Sequence, residues 1–480
     1  MKVWFRIAAV AAVFGIAGCA VTPLDPAASS AAAQVKERVS LAPQWPEAGL
    51  ESTDIAELRE PLTFPAAILV AFTRNPAIRR QYARLGIAHG DLRDAARIAN
   101  PTLSLAWLRP EGGGRDETTQ GISASFSDLL LLSARRRLSA AEFRRVELDV
   151  ASALVALAHE VEKAWYEEVG ALQIAAMRAE VADAAQIEGE LAKRYFDAGN
   201  IDRLRFDLQQ AEVARTHIES LRAQSDVTKS RERLANLLGL AAHEPWRTVD
   251  RLAAPPDEPL ARDQLTERAL SQRLDLTAAR EEVALREDAL GVTRRWRLMG
   301  SVEAGVERER ESEGPESRGP TLSLELPIFN QGQGTVERAE ARLLDARARA
   351  DALALTIENE VTAAVERLAL ARDASERYRR DLLPATASAV ARQQEQVNYM
   401  LESPFELFRT KRDQYDAWQA YFESVRDCWI AHTALRSATG GLLPGDEQTL
   451  PLTIGPDTIA PIEESPEKED RMHEHNGDTP

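Results

Sequence analysis

The sequence predicts a mainly α fold with a small β part, built as two copies of one long-helix hairpin unit. Three observations carry that expectation. Alanine- and charge-rich stretches with apolar residues spaced three and four apart run for tens of residues, the pattern of long packed helices. Four short segments alternate with period two, the pattern of half-buried strands. Both features occur twice, about 200 residues apart, which marks an internal duplication.

The 480 residues carry a net charge of −17, with 44% hydrophobic and 6% aromatic content. That charge excludes a nucleic-acid surface. Past the N-terminus no 18-residue apolar run occurs, so any membrane crossing by the mature chain must use strands. The two cysteines, Cys19 and Cys428, form no metal pattern, and Cys428 reads as a lone half-buried thiol in a helix.

Residues 1–18 read as a secretory signal. Lys2 and Arg6 are followed by a small-apolar run from Ala8 to Ile16. Ile16-Ala17-Gly18-Cys19 is similar to a bacterial lipobox, which implies acylation at Cys19, and Ala20 after it implies sorting to the outer membrane. Residues 19–60 then read as an extended, lipid-anchored tether rich in Pro, Ala and Ser.

The duplication divides the remainder into a first repeat (61–240), a linker (241–262) and a second repeat (263–440). Ala71 through Ile78 align with Ala269 through Leu276 at an offset of 198 residues. Glu160 aligns with Glu360 at 200, and Asp202 with Ser403 at 201. The linker carries Pro245, Pro255, Pro256 and Pro259. Each repeat reads helix, strand, hairpin loop, strand, very long helix, sharp turn, returning helix.

In the strands, Leu103, Leu105 and Trp107 share a face, as do Ile122, Ala124 and Phe126; Val302, Ala304 and Val306; and Leu322, Leu324 and Leu326. Glu111–Thr118 and Arg308–Arg318 read as hairpin loops. Four strands cannot close a barrel, since about eight is the minimum. They form an ordinary soluble sheet, or several chains pool their strands. In the pooled case Glu303, Glu307 and Glu325 are candidate lumen-facing residues of an acidic channel; otherwise they are simply solvated.

The first long helix is expected over about 129–196, which is free of proline, and about 68 residues span roughly 100 Å. The second runs over about 333–400, with Pro384 expected to kink it. At the first reversal Gly199, Asn200 and Asp202 supply a left-handed C-cap and the next N-cap. At the second, Leu401 leads into Ser403 as N-cap, Pro404 at N1 and Glu406 completing a capping box.

Several segments in this order carry a family resemblance. They are Asn75-Pro76, Asn100-Pro101-Thr102-Leu103-Ser104-Leu105, Tyr195 through Leu204, Asn236 through Leu240, and Leu324-Glu325-Leu326-Pro327-Ile328-Phe329-Asn330-Gln331-Gly332-Gln333-Gly334. The chain resembles the TolC-like outer-membrane efflux proteins, in their lipoprotein branch, over about residues 60–440. Its arrangement is most similar to the heavy-metal efflux type.

That resemblance implies a homotrimer whose twelve pooled strands make one transmembrane β-barrel continuous with a periplasmic α-barrel. It implies a gated passive duct exporting small molecules or metal cations, anchored in outer-membrane lipid with most of the chain in the periplasm. The implied partners are a periplasmic adaptor and an inner-membrane pump. The helix turns at Gly199, Asn200, Asp202, Leu401, Ser403 and Pro404 would meet the adaptor, and Glu395 and Glu402 are candidate gate residues. Met400-Leu401 stand where glycine is usual in the family. No cofactor and no metal site is expected, although His473 and His475 lie on an acidic tail (441–480) that reads as disordered. Two alternatives stand beside the duct: a lipid-anchored helical scaffold or binding protein without a pore, and a type I protein-secretion duct. No phosphate loop, HExxH or nucleophile elbow points to an enzyme.

Overall fold

A computed structural model describes residues 25–43, 61–109, 111, 116–255, 261–311 and 315–443. Cys19, the signal segment and the tail histidines lie outside them. In chain order the elements begin with α1 (Asp25–Val39), α2 (Phe64–Arg74), α3 (Pro76–Ala95), β1 (Thr102–Leu108) and β2 (Glu117–Ser125). These are followed by α4 (Phe126–Asp197), α5 (Arg203–Leu238), α6 (Arg262–Gln272) and α7 (Leu274–Trp296). The second hairpin is β3 (Val302–Arg310) and β4 (Glu316–Leu324). Then come α8 (Gln333–Arg377), a π-helical turn (Tyr378–Leu382), α9 (Leu383–Asn398) and α10 (Pro404–Thr439).

The second half repeats the first element by element, down to the breaks. Asn75 and Arg273 interrupt α2/α3 and α6/α7 with the same extended backbone, φ −64° and −66°. Gly239 and Gly440 end α5 and α10 in the left-handed region, at φ +72° and +83°. A Cβ on Gly239 would stand 2.7 Å from the Arg74 carbonyl oxygen, and one on Gly440 2.9 Å from Arg273 Cγ. Only glycine gives both the turn and the close approach.

α4 is a single helix of 72 residues, about 110 Å long. Its equivalent is not continuous. The π turn precedes Pro384, which lacks the amide that would bond back to the turn before it. The Leu383 amide reaches the Tyr378 carbonyl instead, and the Thr386 hydroxyl donates to the carbonyls of Leu382 and Leu383 at 3.1 and 3.0 Å. The offset between repeats steps from 200 at Glu360 to 201 at Ser403 across this segment. A π turn absorbs one inserted residue while the helix beyond it keeps its facing, so the expected proline disturbance is a widened turn.

The core lies midway along the long helices. Val150, Leu154, Val161, Trp165 and Val169 of α4 pack with Phe72 and Ile78 near α2, Leu234 and Leu238 of α5, and Tyr421, Val425 and Trp429 of α10. A second cluster joins Ile357, Val361 and Leu368 of α8 to Leu276, Cys428 and Leu435. Fully burying each large side chain contributes about 1.5–3 kcal/mol, so this girdle anchors both halves.

The expectations of an extended tether and of a half-buried Cys428 are corrected here. The tether contains α1, whose Ala31, Val35 and Val39 are buried; the Arg38 guanidinium donates to the Gln272 carbonyl at 3.0 Å. The linker packs as a belt: Trp246 and Leu252 are buried, Arg231 lies 4.0 Å over the Trp246 ring, and Trp429 Nε1 donates to the Ala253 carbonyl at 2.9 Å. Cys428 is buried, not half-buried, and burial pushes its thiol up to about 11. At the far end, Leu443 also belongs to the core, so ordered packing passes residue 440.

Candidate functional site

The four strands form one antiparallel sheet in the order β1-β2-β3-β4. Its register sorts the side chains. Leu103 pairs with Ile122, Ile122 with Val306, and Val306 with Pro320; Ala124 pairs with Ala304 and Ala304 with Leu322; Val302 pairs with Leu324. The apolar sets of all four strands therefore share one face, since paired residues point the same way and neighbours in sequence point oppositely. Leu103, Trp107, Ile122, Val306, Leu322 and Leu324 are all more than half exposed. The face is long, apolar and uncovered in a single chain.

The opposite face is polar and small. It carries Ser104, Gly121, Ser123, Glu303, Gly305, Glu307, Thr321 and Ser323. A Cβ on Gly121 would stand 2.6 Å from Ser104 Oγ, and one on Gly305 2.7 Å from the Ile122 carbonyl oxygen. Small residues crowd one face and bulky apolar residues line the other.

The candidate lumen residues separate. Glu303 pairs with Ser125 and Ser323, and Glu307 with Gly121 and Gly319, both on the polar face. Glu325 is not in β4. Its carboxylate accepts from the Ser301 amide and hydroxyl at 3.1 and 3.3 Å, and its own amide donates to the Ser301 carbonyl at 3.0 Å. It clamps the base of the hairpin just past the end of β4, opposite Ser301. Phe126 likewise begins α4, and Leu326 comes after the strand. The expected loops are shorter than their polarity implied, because residues 117–118, 308–310 and 316–318 are strand. Leu326, Ile328 and Phe329 below the sheet are 64–97% exposed and extend the apolar band toward the helices.

At the other end the helices reverse in two adjacent turns, pinned side by side by Tyr195 against Phe405, ring centroids 5.9 Å apart. In the first turn Gly199 at φ +76° donates to the Phe196 carbonyl at 2.9 Å, and Asn200 to Tyr195 at 2.8 Å. This pair of hydrogen bonds closes the helix end, and the Asp202 carboxylate accepts from the Arg205 amide at 2.8 Å. In the second turn Met400 takes the glycine's role at φ +58°. It donates to Val397 at 3.0 Å, and Leu401 donates to Gln396 at 2.9 Å. The turn is as tight as its counterpart despite the missing glycine, and Met400 bears the strain. Ser403 Oγ accepts from Phe405 at 3.3 Å, so the hydroxyl caps the second amide, not that of Glu406; the expected capping box is corrected. Pro404 stands at the helix start. Tyr399, Met400 and Leu401 are 73–92% exposed. Glu395 lies in the last turn of α9 and Glu402 in the reversal itself, both exposed.

One constellation was not anticipated. Between α4 and α10, Arg436 Nη1 stands 2.8 Å from Glu162 Oε1, and His159 Nδ1 3.7 Å from Glu162 Oε2. His432 is buried beside them. Burial opposes the Glu162 carboxylate, but Arg436 and then His159 outweigh it and hold its carboxyl below the usual range. The two halves of this pair are 274 residues apart, so no local motif signals it.

No family model matches the sequence, and no curated protein matches it. Solved structures do. The open state of the MtrE outer membrane channel of Neisseria gonorrhoeae aligns at 15% identity with a TM-score of 0.66, covering 84% of this chain and 98% of that one. The chain has the fold of these channels. The CmeC outer membrane channel of Campylobacter jejuni aligns at 14% identity and TM-score 0.65, covering 84% and 95%. The outer membrane protein VceC of Vibrio cholerae aligns at 17% and 0.62, covering 79% and 96%. In each case nearly the whole of the other chain is matched.

Proposed function

We propose that this protein is the outer-membrane exit duct of a tripartite efflux system, passive in itself and driven by its partners. The observation that carries the reading is the register, which brings the apolar residues of all four strands onto one uncovered face. Lipid tolerates a sheet only when every edge is paired, and four strands are too few to close. Three chains supply twelve. MtrE and CmeC, both outer membrane channels, share the fold and support the same architecture.

In this reading the polar face lines the lumen, where Glu303 and Glu307 disfavour anions. The long helices form the periplasmic conduit. The turns at Gly199, Asn200 and Asp202, and at Leu401, Ser403 and Pro404, meet a periplasmic adaptor joined to an inner-membrane pump. Glu395 and Glu402 narrow the closed end. Acylated Cys19 holds the chain to outer-membrane lipid. The cargo is small molecules or metal cations, selected mainly by the pump.

Purified full-length protein should run as a heat-sensitive trimer and conduct in planar bilayers. A monodisperse monomer without conductance would overturn the duct and favour a lipid-anchored scaffold. Cys19→Ala should abolish palmitate labelling, and persistent labelling would exclude the lipobox.

A further inference from the structure

At the hairpin end of the sheet the register of β3 places its arginines and its glutamates on opposite faces. Along Val306-Glu307-Arg308-Glu309-Arg310, the arginines fall on the side of Val306 and the glutamates on the other. The register fixes this: Arg308 pairs with Arg318 and with Gln120, and Arg310 with Glu316 and Thr118. Arg308, Arg310 and Arg318 therefore continue the face of Val302, Ala304, Val306, Leu322 and Leu324. Arg109 lies two residues beyond Trp107 and stands 3.1 Å from Asp116 at the same end.

Among the described residues of this face, the three strand arginines share a single glutamate. The Glu316 carboxylate meets all three strand arginines: Arg308 in close contact, Arg318 at 2.8 Å and Arg310 at 3.4 Å. One carboxylate serves three guanidiniums, whose side chains remain 43%, 66% and 57% exposed. With Arg109 and Asp116 the described ion pairs of this face join four arginines to two acids, with Glu111 and Glu311 in the hairpin loops beyond, and shared coordination leaves donor positions open on each fork. Meanwhile Glu303, Glu307 and Glu309 keep the same strand's negative charge on the opposite face.

Position decides what these arginines meet. A residue on the lipid-facing side beyond the apolar band stands at headgroup level. The helices leave from the other end of the sheet, so the hairpin ends reach the outer leaflet. Guanidinium forks match phosphate oxygens in bidentate geometry, and neutralisation is strongest where the surface is partly apolar and dehydrated. We propose that Arg308, Arg310 and Arg318 form a binding site for the phosphate-bearing headgroups of outer-leaflet lipid, with Glu316 holding the three guanidiniums in one cluster. The inference rests on the duct reading, because that reading makes the face lipid-facing.

The test uses the full-length protein in detergent, with lipid A, chemically dephosphorylated lipid A and inorganic phosphate as probes and native mass spectrometry as readout. Lipid A should bind and its dephosphorylated form should bind at least tenfold more weakly. Saturation by inorganic phosphate alone would mean a simple anion site and overturn the lipid assignment. Arg308→Gln/Arg310→Gln/Arg318→Gln should weaken lipid A binding about tenfold. Ser317→Glu, one residue away on the other face, should leave it unchanged. Where the triple variant fails to assemble, Arg318→Gln alone should lose about threefold. Equal binding by the arginine variants, or equal loss in Ser317→Glu, would overturn the site. Bilayer conductance of the same samples separates the two readings: a conducting wild type with phosphate-independent lipid binding sinks only this inference, and a non-conducting wild type sinks the duct.

Discussion

Replacing Arg436 with methionine tests the buried pair that ties the two repeats together. Arg436 and Glu162 have side chains 8% and 2% exposed, with 2.8 Å between Nη1 and Oε1. Methionine fills much of the space of the arginine stem, so the loss is mainly electrostatic. Breaking a buried pair from one side costs about 3–5 kcal/mol. His159, 3.7 Å away, supplies partial compensation, which places the expectation near 3 kcal/mol, or roughly a hundredfold in the folding equilibrium. The double variant Arg436→Met/Glu162→Gln removes the stranded charge and should recover most of that loss, ending within about 1 kcal/mol of the parent.

The pH dependence carries a definite sign. In the parent the Glu162 carboxyl is held below its usual range, so its stabilisation is complete above the unfolded value and disappears as pH falls through the folded one. In Arg436→Met burial prevails and raises that carboxyl. The deficit is therefore largest at pH 7 and narrows as pH falls and Glu162 takes up a proton. Guanidinium unfolding monitored by tryptophan fluorescence reads this directly, because Trp429 lies 5.7 Å from the His432 ring. A deficit below about 1 kcal/mol at pH 7 would refute the reasoning, as would one that does not narrow on acidification.

Three further outcomes are expected. Gly199→Ala has open space around its added Cβ and bears only the left-handed conformation, about 1 kcal/mol. Gly239→Ala drives its Cβ onto the Arg74 and Asn75 backbone and should cost about 3 kcal/mol; equal denaturation midpoints would contradict the packing at that cap. Leu324→Lys should impair assembly by about 2–4 kcal/mol while Ser323→Lys is tolerated, as read by the yield of heat-sensitive trimer; equal tolerance would mean the faces are misassigned. Glu395→Gln/Glu402→Gln should raise the leak current of the closed channel in planar bilayers, and an unchanged closed state would remove both from the gate.

The strands were legible because alternation at Leu322, Leu324 and Val302, Ala304, Val306 fixes a face without knowledge of the partner. Their full lengths were not. Arg308 and Arg310 alternate with Glu307 and Glu309, and a pattern written in charge of both signs is silent to hydrophobicity. Glu325 continued the alternation by spacing alone, yet its carboxylate turns to the Ser301 amide. The segment holding α1 was missed because alanine and serine mark a tether and a small-residue helix equally well. Only burial of Ala31 and Val35 distinguishes them. The turns were readable from Gly199, Asp202 and Ser403, local signals that need no tertiary knowledge. The Glu162–Arg436 pair depends wholly on the duplicated halves meeting.

The unlike turns bear on how many partners can dock at once. One tip is polar around Gly199 and Asp202; the other presents Tyr399, Met400 and Leu401 to solvent. A ring of three such chains offers six tips, but they alternate in kind. In the proposed trimer that end would have threefold symmetry only. A partner that grips a single kind of tip binds in threes, and a ring of six identical partner subunits must hold its members in two alternating poses.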